Sequence, residues 1–459
     1  MLRTEGRKIL NDKGEEIRLR GINLGNWMLI EPNMMGSVGT EIRLRRAMEN
    51  YAGKEKTECF FRGLLDKWVT EADIFYLKSL GFNSVRIPLN YRYFEDDMAP
   101  FEYKTEGFDY LDRVFTFCTK ADIYVILDLH AVQGYQNGDW HCNNIFQERT
   151  DIYYDKNARE RYYALWRKLA ERYKDQRMLA GYDLMNEPLA ESKEEINALN
   201  EIYSEVIQTI RKEDPNHILF IEGNQWAQRF EEIKDFSAYG NIVYSPHYYC
   251  EAAVQDADYP GIYRDAVYNI EGMCREMDSR DQWIIEHNAP CWVGEFGVRR
   301  LGDLKGKDRA LRDYIQTFEK RGHSWCYWNF KDLRVRGPLK LDKNSRWAAF
   351  VDEFADLKKK YCTDRSLPED RSWTLDFIFK DCKENDFVCP KEVVRERVMR
   401  NIRETLADQL TQTFAKRFAE LSMKEIDELT DSFLLKNCVR YSPWEKIFRG
   451  VTGKDEGEL

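Results

Sequence analysis

The chain has 459 residues, of which 43% are hydrophobic and 14% aromatic, so it can bury a large core and global disorder is excluded. Its 70 basic and 80 acidic residues give a formal net charge of −10, which excludes the basic surface of a nucleic-acid-binding protein. No run approaches the roughly 18 uncharged apolar residues of a membrane-spanning segment, so we expect none. Residues 1–8 lack the apolar stretch of a signal peptide, and the 11 cysteines are scattered. We therefore expect a cytoplasmic protein unless a signal was removed.

Over the first 360 residues, short apolar runs alternate with longer amphipathic segments. Eight runs have the composition of buried parallel strands: 20–24, 84–87, 124–129, 181–185, 218–221, 242–244, 291–294 and 325–328. Helical patterns such as 158–173 and 194–212 lie between them. This alternation predicts a (β/α)8 TIM barrel with enlarged βα loops over residues 1–360. An open doubly wound sheet is the alternative, but the Gly-rich phosphate turn usual after its first strand is absent from the sequence.

Residues 361–459 have a different composition, with only three of the 26 glycines. Apolar residues recur there at every fourth position: Val394, Val398, Ile402, Leu406, Leu410, Phe414 and Phe418. This spacing predicts a long helix whose apolar stripe winds around its axis. Ser422 and Glu425 form a capping-box pattern that predicts another helix. We therefore expect an α-helical extension that covers one side of the barrel, with an oligomerisation or partner surface as the alternative.

Polar residues end six of the predicted strands, at the positions where TIM barrels carry their functional side chains. They are Arg86, Asp128 with His130, Asn186 with Glu187, His247 with Tyr249, Glu295, and Trp328 with Asn329. Glu187 and Glu295 end the fourth and seventh strands, which face each other across the barrel mouth. Hydrolysis of an acetal requires such a pair, because one carboxyl protonates the leaving oxygen while the other attacks carbon or activates water.

Taken together and in order, these residues resemble the family 5 glycoside hydrolases, retaining β-glycosidases of the cellulase type, over roughly residues 20–332. The resemblance implies that Glu187 is the general acid/base and Glu295 the nucleophile. It also implies supporting roles: Arg86 bonds the nucleophile, Asn186 contacts the sugar 2-hydroxyl, His130 lies in the glycone subsite, His247 and Tyr249 orient the acid/base and the nucleophile, and Trp328 lies under the −1 sugar.

A narrower resemblance concerns residues 20–32, which are similar to the first-strand signature of the exo-β-1,3-glucanase branch. It implies that Glu31 binds the outer hydroxyls of the terminal sugar, and it predicts a pocket closed at one end; a carboxylate in a surface loop is the alternative. Residues 128–137 resemble the same branch, whereas residues 138–142 and 296–297 depart from it. Trp140 and Trp226 are candidates for stacking on sugars, with a core or lid role as the alternative.

The sequence also predicts local details of the acid/base. Because Pro188 disfavours the right-handed helical region for the preceding residue, we expect an extended Glu187. We expect partial burial and the nucleophile's charge to raise the pKa of Glu187, while Arg86 and the Tyr249 hydroxyl keep Glu295 ionised. Double displacement by this pair predicts carboxyl groups about 5 Å apart.

The sequence therefore predicts a retaining β-glycosidase that hydrolyses β-glucosidic bonds of oligosaccharides or small glycosides, with exo action. An endo-β-1,4-glucanase, a β-mannanase or a β-mannosidase is the alternative within the same class. A non-catalytic carbohydrate-binding barrel, with the helical tail as its interaction surface, is the alternative outside it. No cofactor is expected, because two carboxylates suffice for this chemistry and because His130, His141 and Cys142 lack the spacing of a tetrahedral metal site.

Overall fold

The computed structural model describes residues 1–144, 149–249, 257–263, 266–300, 304–361, 363, 379–383 and 391–452. Each of the eight apolar runs forms a strand. The strands are β1 (Arg20–Asn23), β2 (Ser84–Asn90), β3 (Tyr124–Ala131), β4 (Leu179–Asp183), β5 (Ile218–Glu222), β6 (Ile242–Ser245), β7 (Trp292–Phe296) and β8 (Ser324–Tyr327).

The strands pair in parallel with their neighbours in the chain, from β1 to β6, and β1 also pairs with β8, which pairs with β7. His247–Tyr248, which continue β6 beyond Pro246, pair with β7, and Tyr244 forms a further bridge to Cys291. The sheet therefore closes on itself, and the predicted (β/α)8 barrel is confirmed.

Helices connect the strands on the outside of the barrel. They are α1 (Pro32–Met35), α2 (Glu41–Ala52), α3 (Lys54–Trp68), α4 (Glu71–Ser79), α5 (Thr105–Ala121), α6 (Lys156–Tyr173), α7 (Lys193–Glu213), α8 (Ile270–Glu286), α9 (Lys307–Arg321), α10 (Arg346–Asp352) and α11 (Ala355–Lys360). Helix α7 illustrates how the sequence fixes them: a capping box of Ser192 and Glu195 starts it, and Ile202, Val206 and Ile210 recur on its buried face.

The N-terminal end of the barrel is closed by apolar side chains. A hairpin of Arg3–Glu5 and Lys8–Leu10 lies there, and its Ile9 joins Ile126 and Trp292 in a buried cluster. The opposite end, where the strands terminate at their carboxyl groups, carries the polar residues. The N-terminal end of the barrel therefore contributes to stability, and the carboxyl end carries the candidate functional residues.

The C-terminal segment forms α12 (Lys391–Ala419), α13 (Met423–Thr430) and α14 (Ser442–Thr452). Ser422 and Glu425 make the capping box that starts α13. The buried Phe433 lies after that helix, in a short 3-10 turn. Cys438–Arg440 pairs with a strand at Leu339–Leu341, which precedes the segment. Apolar residues of these helices belong to the same hydrophobic core as the barrel: Phe414, Phe418, Ile426, Leu429, Trp444 and Phe448.

Within the described ranges, no helix combines the length and the apolar composition needed to cross a membrane.

Candidate active site

Arg86 lies at the centre of the carboxyl end of the barrel and is completely buried. Its guanidinium donates to carboxylates from three strands: Nε to Asp183 at 2.8 Å, Nη1 to Glu295 at 2.6 Å and Nη2 to Glu222 at 3.0 Å. A fourth carboxylate, Asp128, lies 3.1 Å from Nη2. Arginine suits this position because its planar fork directs several donors at once.

Glu295, at the end of β7, is buried and held from two sides. Arg86 donates to one of its oxygens, and the hydroxyl of Tyr249 donates to the other at 2.6 Å. Burial alone raises the pKa of Glu295, but the charges of His247 and Arg86 outweigh burial and lower it. Glu295 is therefore an ionised carboxylate of fixed orientation, which is the form that a nucleophile requires.

Glu187 follows β4 and is half-buried, with 12% of its side chain exposed. Its backbone differs from the prediction: φ is +47°, in the left-handed region, and the residue is not extended. Its N–H donates to the Glu222 carboxylate at 2.6 Å, which stabilises this conformation. Non-glycine residues in the left-handed region cost on the order of 1–3 kcal/mol and concentrate at functional sites.

The predicted rise in the pKa of Glu187 is also wrong. Burial raises this pKa, but the hydrogen bond from His247 Nδ1, 2.8 Å from Glu187 Oε1, and the charge of His247 lower it to about 2. The pKa of His247 is correspondingly well above its ordinary value, because Glu222 and Glu295 outweigh the effect of its burial. His247 Nδ1 and Glu187 Oε1 are therefore joined by a charge-assisted hydrogen bond along which a proton can pass between them.

The two carboxylates are close together. One oxygen of Glu187, one of Glu295 and one ring nitrogen of His247 all lie within 4.8 Å of one another. Retaining glycosidases place their carboxyl groups about 5–5.5 Å apart, whereas inverting enzymes leave about 6.5–9.5 Å for a water molecule. The separation therefore agrees with the predicted double displacement.

Asn186 offers an unused donor beside this pair. Its Oδ1 accepts from Arg86 at 2.9 Å, while its buried Nδ2 has no hydrogen-bond partner among the residues that the structure describes. A buried donor without a partner is costly and needs an explanation. A sugar hydroxyl bound between the two carboxylates would satisfy it, as predicted for the 2-hydroxyl.

His130 and Trp328 form an aromatic wall of the site. Their rings stack with centroids 5.2 Å apart and an interplanar angle of 13°. His130 Nδ1 lies 2.7 Å from Asp128, and burial holds the pKa of His130 well below its ordinary value, so the ring is neutral. With these two residues, the structure brings together eight predicted site residues: Arg86, His130, Asn186, Glu187, His247, Tyr249, Glu295 and Trp328.

The three remaining predicted residues lie in the loops after β1, β3 and β5. Glu31 is half-buried at the start of α1, and its backbone N–H donates to Asn26. Trp140 is 5% exposed in the loop after β3. Trp226 occupies a turn after β5, where its indole donates to Asp139 at 3.0 Å and its N–H to the carbonyl of Pro188.

Two residues near Glu187 were not among the predicted site residues. His141 Nε2 lies 3.6 Å from Glu187 Oε2, and Asn137 donates to the carbonyl of Glu187 at 2.8 Å. Both come from the loop after β3. Glu222 was also missed, although a carboxylate that ends the otherwise apolar strand 218–222 is the signal that identified the other site residues.

An Arg86→Met variant is expected to lose about 3–5 kcal/mol of unfolding free energy at pH 8, because four carboxyls then lack their buried cation. Without Arg86, the folded-state pKa of each of these carboxyls rises, so the deficit grows with rising pH and shrinks towards pH 5. Urea unfolding at both pH values measures it.

The matched control is Arg20→Met, which removes a partly exposed pair with Glu319 outside the site. Its expected cost is about 1 kcal/mol or less. An Arg86→Met deficit that is equal at pH 5 and pH 8 would contradict the charge explanation.

Comparisons with known proteins identify related chains. A family model described as Cellulase (glycosyl hydrolase family 5) matches residues 51–333. The chain is 32% identical to a β-xylosidase of Phanerodontia chrysosporium, with 97% of each chain covered. It is 26% identical to endoglucanase C of Acetivibrio thermocellus, over 60% of this chain and 88% of that one. A solved structure of a glycoside hydrolase superimposes with a TM-score of 0.54 at 22% identity, covering 69% of this chain and 90% of the other.

Proposed function

The chain belongs to glycosyl hydrolase family 5, and we propose that it is an exo-acting β-xylosidase that removes single xylose residues from short β-linked oligosaccharides. Membership of the family makes it a glycoside hydrolase. The proposal adds the mode of attack and the sugar. The observation that carries it is the similarity to a β-xylosidase over 97% of both chains, because this similarity includes the C-terminal helices.

In the proposed reaction, a carboxylate oxygen of Glu295 attacks the anomeric carbon while the bond to the leaving oxygen breaks. Glu187 gives its proton to that oxygen, and a covalent glycosyl-enzyme forms. Glu187 then removes a proton from water, whose oxygen attacks the anomeric carbon and releases Glu295. The separation of at most 4.8 Å between the carboxylate oxygens supports this sequence.

The position of α12 supports exo action. Asp408 on this helix accepts from the backbone N–H of Thr40 at 2.9 Å, in the loop that follows β1 and contains Glu31. Arg397, near the start of α12, forms an ion pair with Glu191 in the loop that contains Glu187. The helix therefore runs past two loops that border the site.

The packing between α12 and the loop after β1 is tight. A Cβ at Gly39, whose φ is +66°, would lie 2.5 Å from Thr411 Cγ2, so only glycine fits there. Between this loop, Trp140 and Ala407 there remains a small cavity of about 70 Å³. A long polysaccharide would need an open channel on this side, so the arrangement favours a pocket that admits only a chain end.

The preference for xylose has a simple physical basis that can be tested. Xylose lacks the exocyclic CH₂OH group of glucose, and a pocket shaped for the smaller sugar excludes the larger one sterically. Discrimination between two substrates that differ by one carbon group in a tight pocket amounts to about 1–3 kcal/mol, or a ratio of roughly 10–200-fold between their kcat/KM values.

A β-glucosidase with the same exo action is the second candidate. The segment around Glu31, which is similar to the exo-β-1,3-glucanase signature, favours it. A carboxylate that accepts hydrogen bonds from outer sugar hydroxyls would serve either sugar, so this segment supports exo action more than it supports glucose.

A substrate panel tests these proposals. We expect kcat/KM on p-nitrophenyl β-xyloside to exceed that on the β-glucoside and the β-mannoside by at least about tenfold. Xylotetraose should release xylose and xylotriose first, whereas an endo enzyme would release xylobiose. A higher rate on the glucoside, with glucose as the first product from cello- or laminarioligosaccharides, would favour the second candidate; initial products from internal bonds would overturn exo action.

A further inference from the structure

The imidazole of His247 bridges two carboxyl groups. Its Nδ1 lies 2.8 Å from Glu187 Oε1, and its Nε2 lies 3.3 Å from Glu222 Oε1. The side chains of His247 and Glu222 are almost completely buried, with exposures of 1% and 0%. A Cβ at Gly294 would lie 2.9 Å from His247 Nε2, so the ring occupies space that only a glycine leaves free. Its position is therefore fixed by packing as well as by charge.

Glu222 contacts Glu187 a second time, through the backbone. Its Oε2 accepts from the N–H of Glu187 at 2.6 Å, and its Oε1 accepts from Arg86 at 3.0 Å. One carboxyl group therefore supports the left-handed backbone of Glu187, faces the imidazole that bonds its side chain, and contacts the arginine that holds Glu295. No other described side chain makes contacts of all three kinds.

Acid catalysis requires one particular tautomer of the neutral His247 ring. Once a proton has passed from Nδ1 to Glu187 Oε1, Nδ1 carries no hydrogen and becomes an acceptor. The neutral ring then carries its remaining hydrogen on Nε2, which faces Glu222 Oε1 at 3.3 Å without the geometry of a hydrogen bond in this structure. An orienting carboxylate on the far nitrogen is the usual means by which proteins select a histidine tautomer. Hydrogen bonds of this kind are commonly longer before substrate binds than during the reaction.

We propose that Glu222 is a positioning residue for acid catalysis: its carboxylate selects the His247 tautomer that allows the proton to move from Nδ1 to Glu187. The proposal rests on Glu187 being the acid/base of the proposed function. The transfer conserves protons, since the N–H bond at Nδ1 breaks, an O–H bond forms at Glu187 Oε1, and the hydrogen on Nε2 stays in place.

The charged groups around Glu222 and His247 come from four strands or strand ends. Those facing Glu222 and His247 are Arg86 from β2, Asp128 from β3, Asp183 and Glu187 from β4 and its loop, and Glu295 from β7. Arg280 on α8 donates to the backbone carbonyl of His247. Burial raises the pKa of Glu222 to about 8, although His247 acts in the opposite direction. The charge of the Glu222 carboxylate is the largest effect that raises the pKa of His247.

A Glu222→Gln variant tests the proposal. The amide oxygen can still accept from Glu187 N–H, but the NH₂ group then faces Nε2 and stabilises the opposite tautomer. We expect kcat on an unactivated alkyl β-glycoside to fall about 100-fold, which is the usual contribution of a general acid. On a 2,4-dinitrophenyl β-glycoside, whose leaving group departs without a proton, we expect kcat/KM to change less than about fivefold.

The pH profile provides an independent readout. Because the charge of Glu222 raises the pKa of His247, its removal should move the alkaline limb of kcat/KM to lower pH. A Glu222→Asp variant retains the charge and should keep the limb near its wild-type position. If the Gln variant does not fold, the Asp variant still tests the proposal, since a shortened carboxylate should lose activity on the alkyl glycoside selectively.

The matched control is Asp214→Asn. Asp214 and His217 form a buried carboxylate–imidazole pair, 2.6 Å apart, near the start of β5 and away from the site. This variant should lose thermal stability but keep the wild-type ratio of activities and the wild-type pH limb. Equal losses on both glycosides in Glu222→Gln, with an unmoved limb, would overturn the proposal.

The experiment also separates this inference from the proposed function. Both glycosides carry the same sugar, so the readout is a ratio of leaving groups. If the enzyme prefers glucosides or cleaves internal bonds, the same pair is made with the preferred sugar. The proposed function can then be wrong while the role of Glu222 is upheld. Likewise, the role of Glu222 can be overturned while exo action on xylosides is upheld.

Discussion

A Glu295→Gln variant is expected to lose activity by on the order of 10⁵-fold on every β-glycoside that the wild type cleaves, because removal of a nucleophile eliminates the covalent route. The amide retains the shape of the side chain, and its single oxygen can still accept from Arg86, while its NH₂ group takes the place of the oxygen that accepted from the Tyr249 hydroxyl. It lacks the negative charge that attacks the anomeric carbon and stabilises the developing positive charge there. Activated aryl glycosides should therefore be affected as severely as unactivated ones.

Azide adds a stereochemical test of this role. In Glu295→Ala, azide can occupy the vacated space and attack from the nucleophile's face, so the product should be the α-glycosyl azide, identified by NMR. The matched control is Glu319→Gln on α9, whose carboxylate binds Arg20 outside the site. It should lower stability and leave kcat unchanged. Wild-type-like activity of Glu295→Gln would exclude Glu295 as the nucleophile.

The barrel and most of the site follow from patterns that a single sequence contains. Buried strands are apolar, and a polar residue at the end of such a strand has no place in the core. Arg86, His130 and Glu295 satisfy this rule, and closure of the barrel brings all strand ends to one rim. The rule applies equally to Glu222, which became recognisable only through its contacts with Glu187 and His247.

The two incorrect predictions concern properties that neighbours in the sequence do not determine. Pro188 disfavours the right-handed helical region for Glu187 but does not choose between the extended and left-handed regions. The hydrogen bond from Glu187 N–H to Glu222, 35 residues away, makes that choice. The pKa of Glu187 likewise depends on His247, 60 residues away, whose charge and hydrogen bond exceed the effect of burial.

The periodicity of apolar residues also could not predict where the C-terminal helices pack. Apolar spacing predicted α12 and the capping box predicted α13, because both are local signals. The contacts that place α12 beside the site are polar and specific, such as Asp408 with Thr40 and Arg397 with Glu191. Single polar residues on an exposed helix face carry no signal of their partners in one sequence.

A Glu187→Ala variant should divide substrates according to their leaving groups. For unactivated glycosides, kcat/KM should fall by about 10²–10⁴-fold, the usual contribution of general acid catalysis. For a 2,4-dinitrophenyl glycoside, Glu295 should still attack, so glycosylation stays fast and the covalent intermediate accumulates. A rapid burst of dinitrophenol followed by slow turnover is therefore expected. On the unactivated glycosides, the alkaline limb of kcat/KM should be lost, because the group that passes the proton to the leaving oxygen is gone.

Azide should restore turnover of this variant by attacking the accumulated intermediate from the face opposite Glu295, which gives the β-glycosyl azide. The product thus has the opposite anomeric configuration to that expected from Glu295→Ala, and the pair of products assigns each carboxylate to its face of the sugar. Glu191→Ala, four residues along the same loop, is the matched control and should retain the wild-type leaving-group dependence. If azide rescues neither alanine variant, Glu187 and Glu295 do not have these roles, and an inverting mechanism would have to be reconsidered despite the short separation of their oxygens.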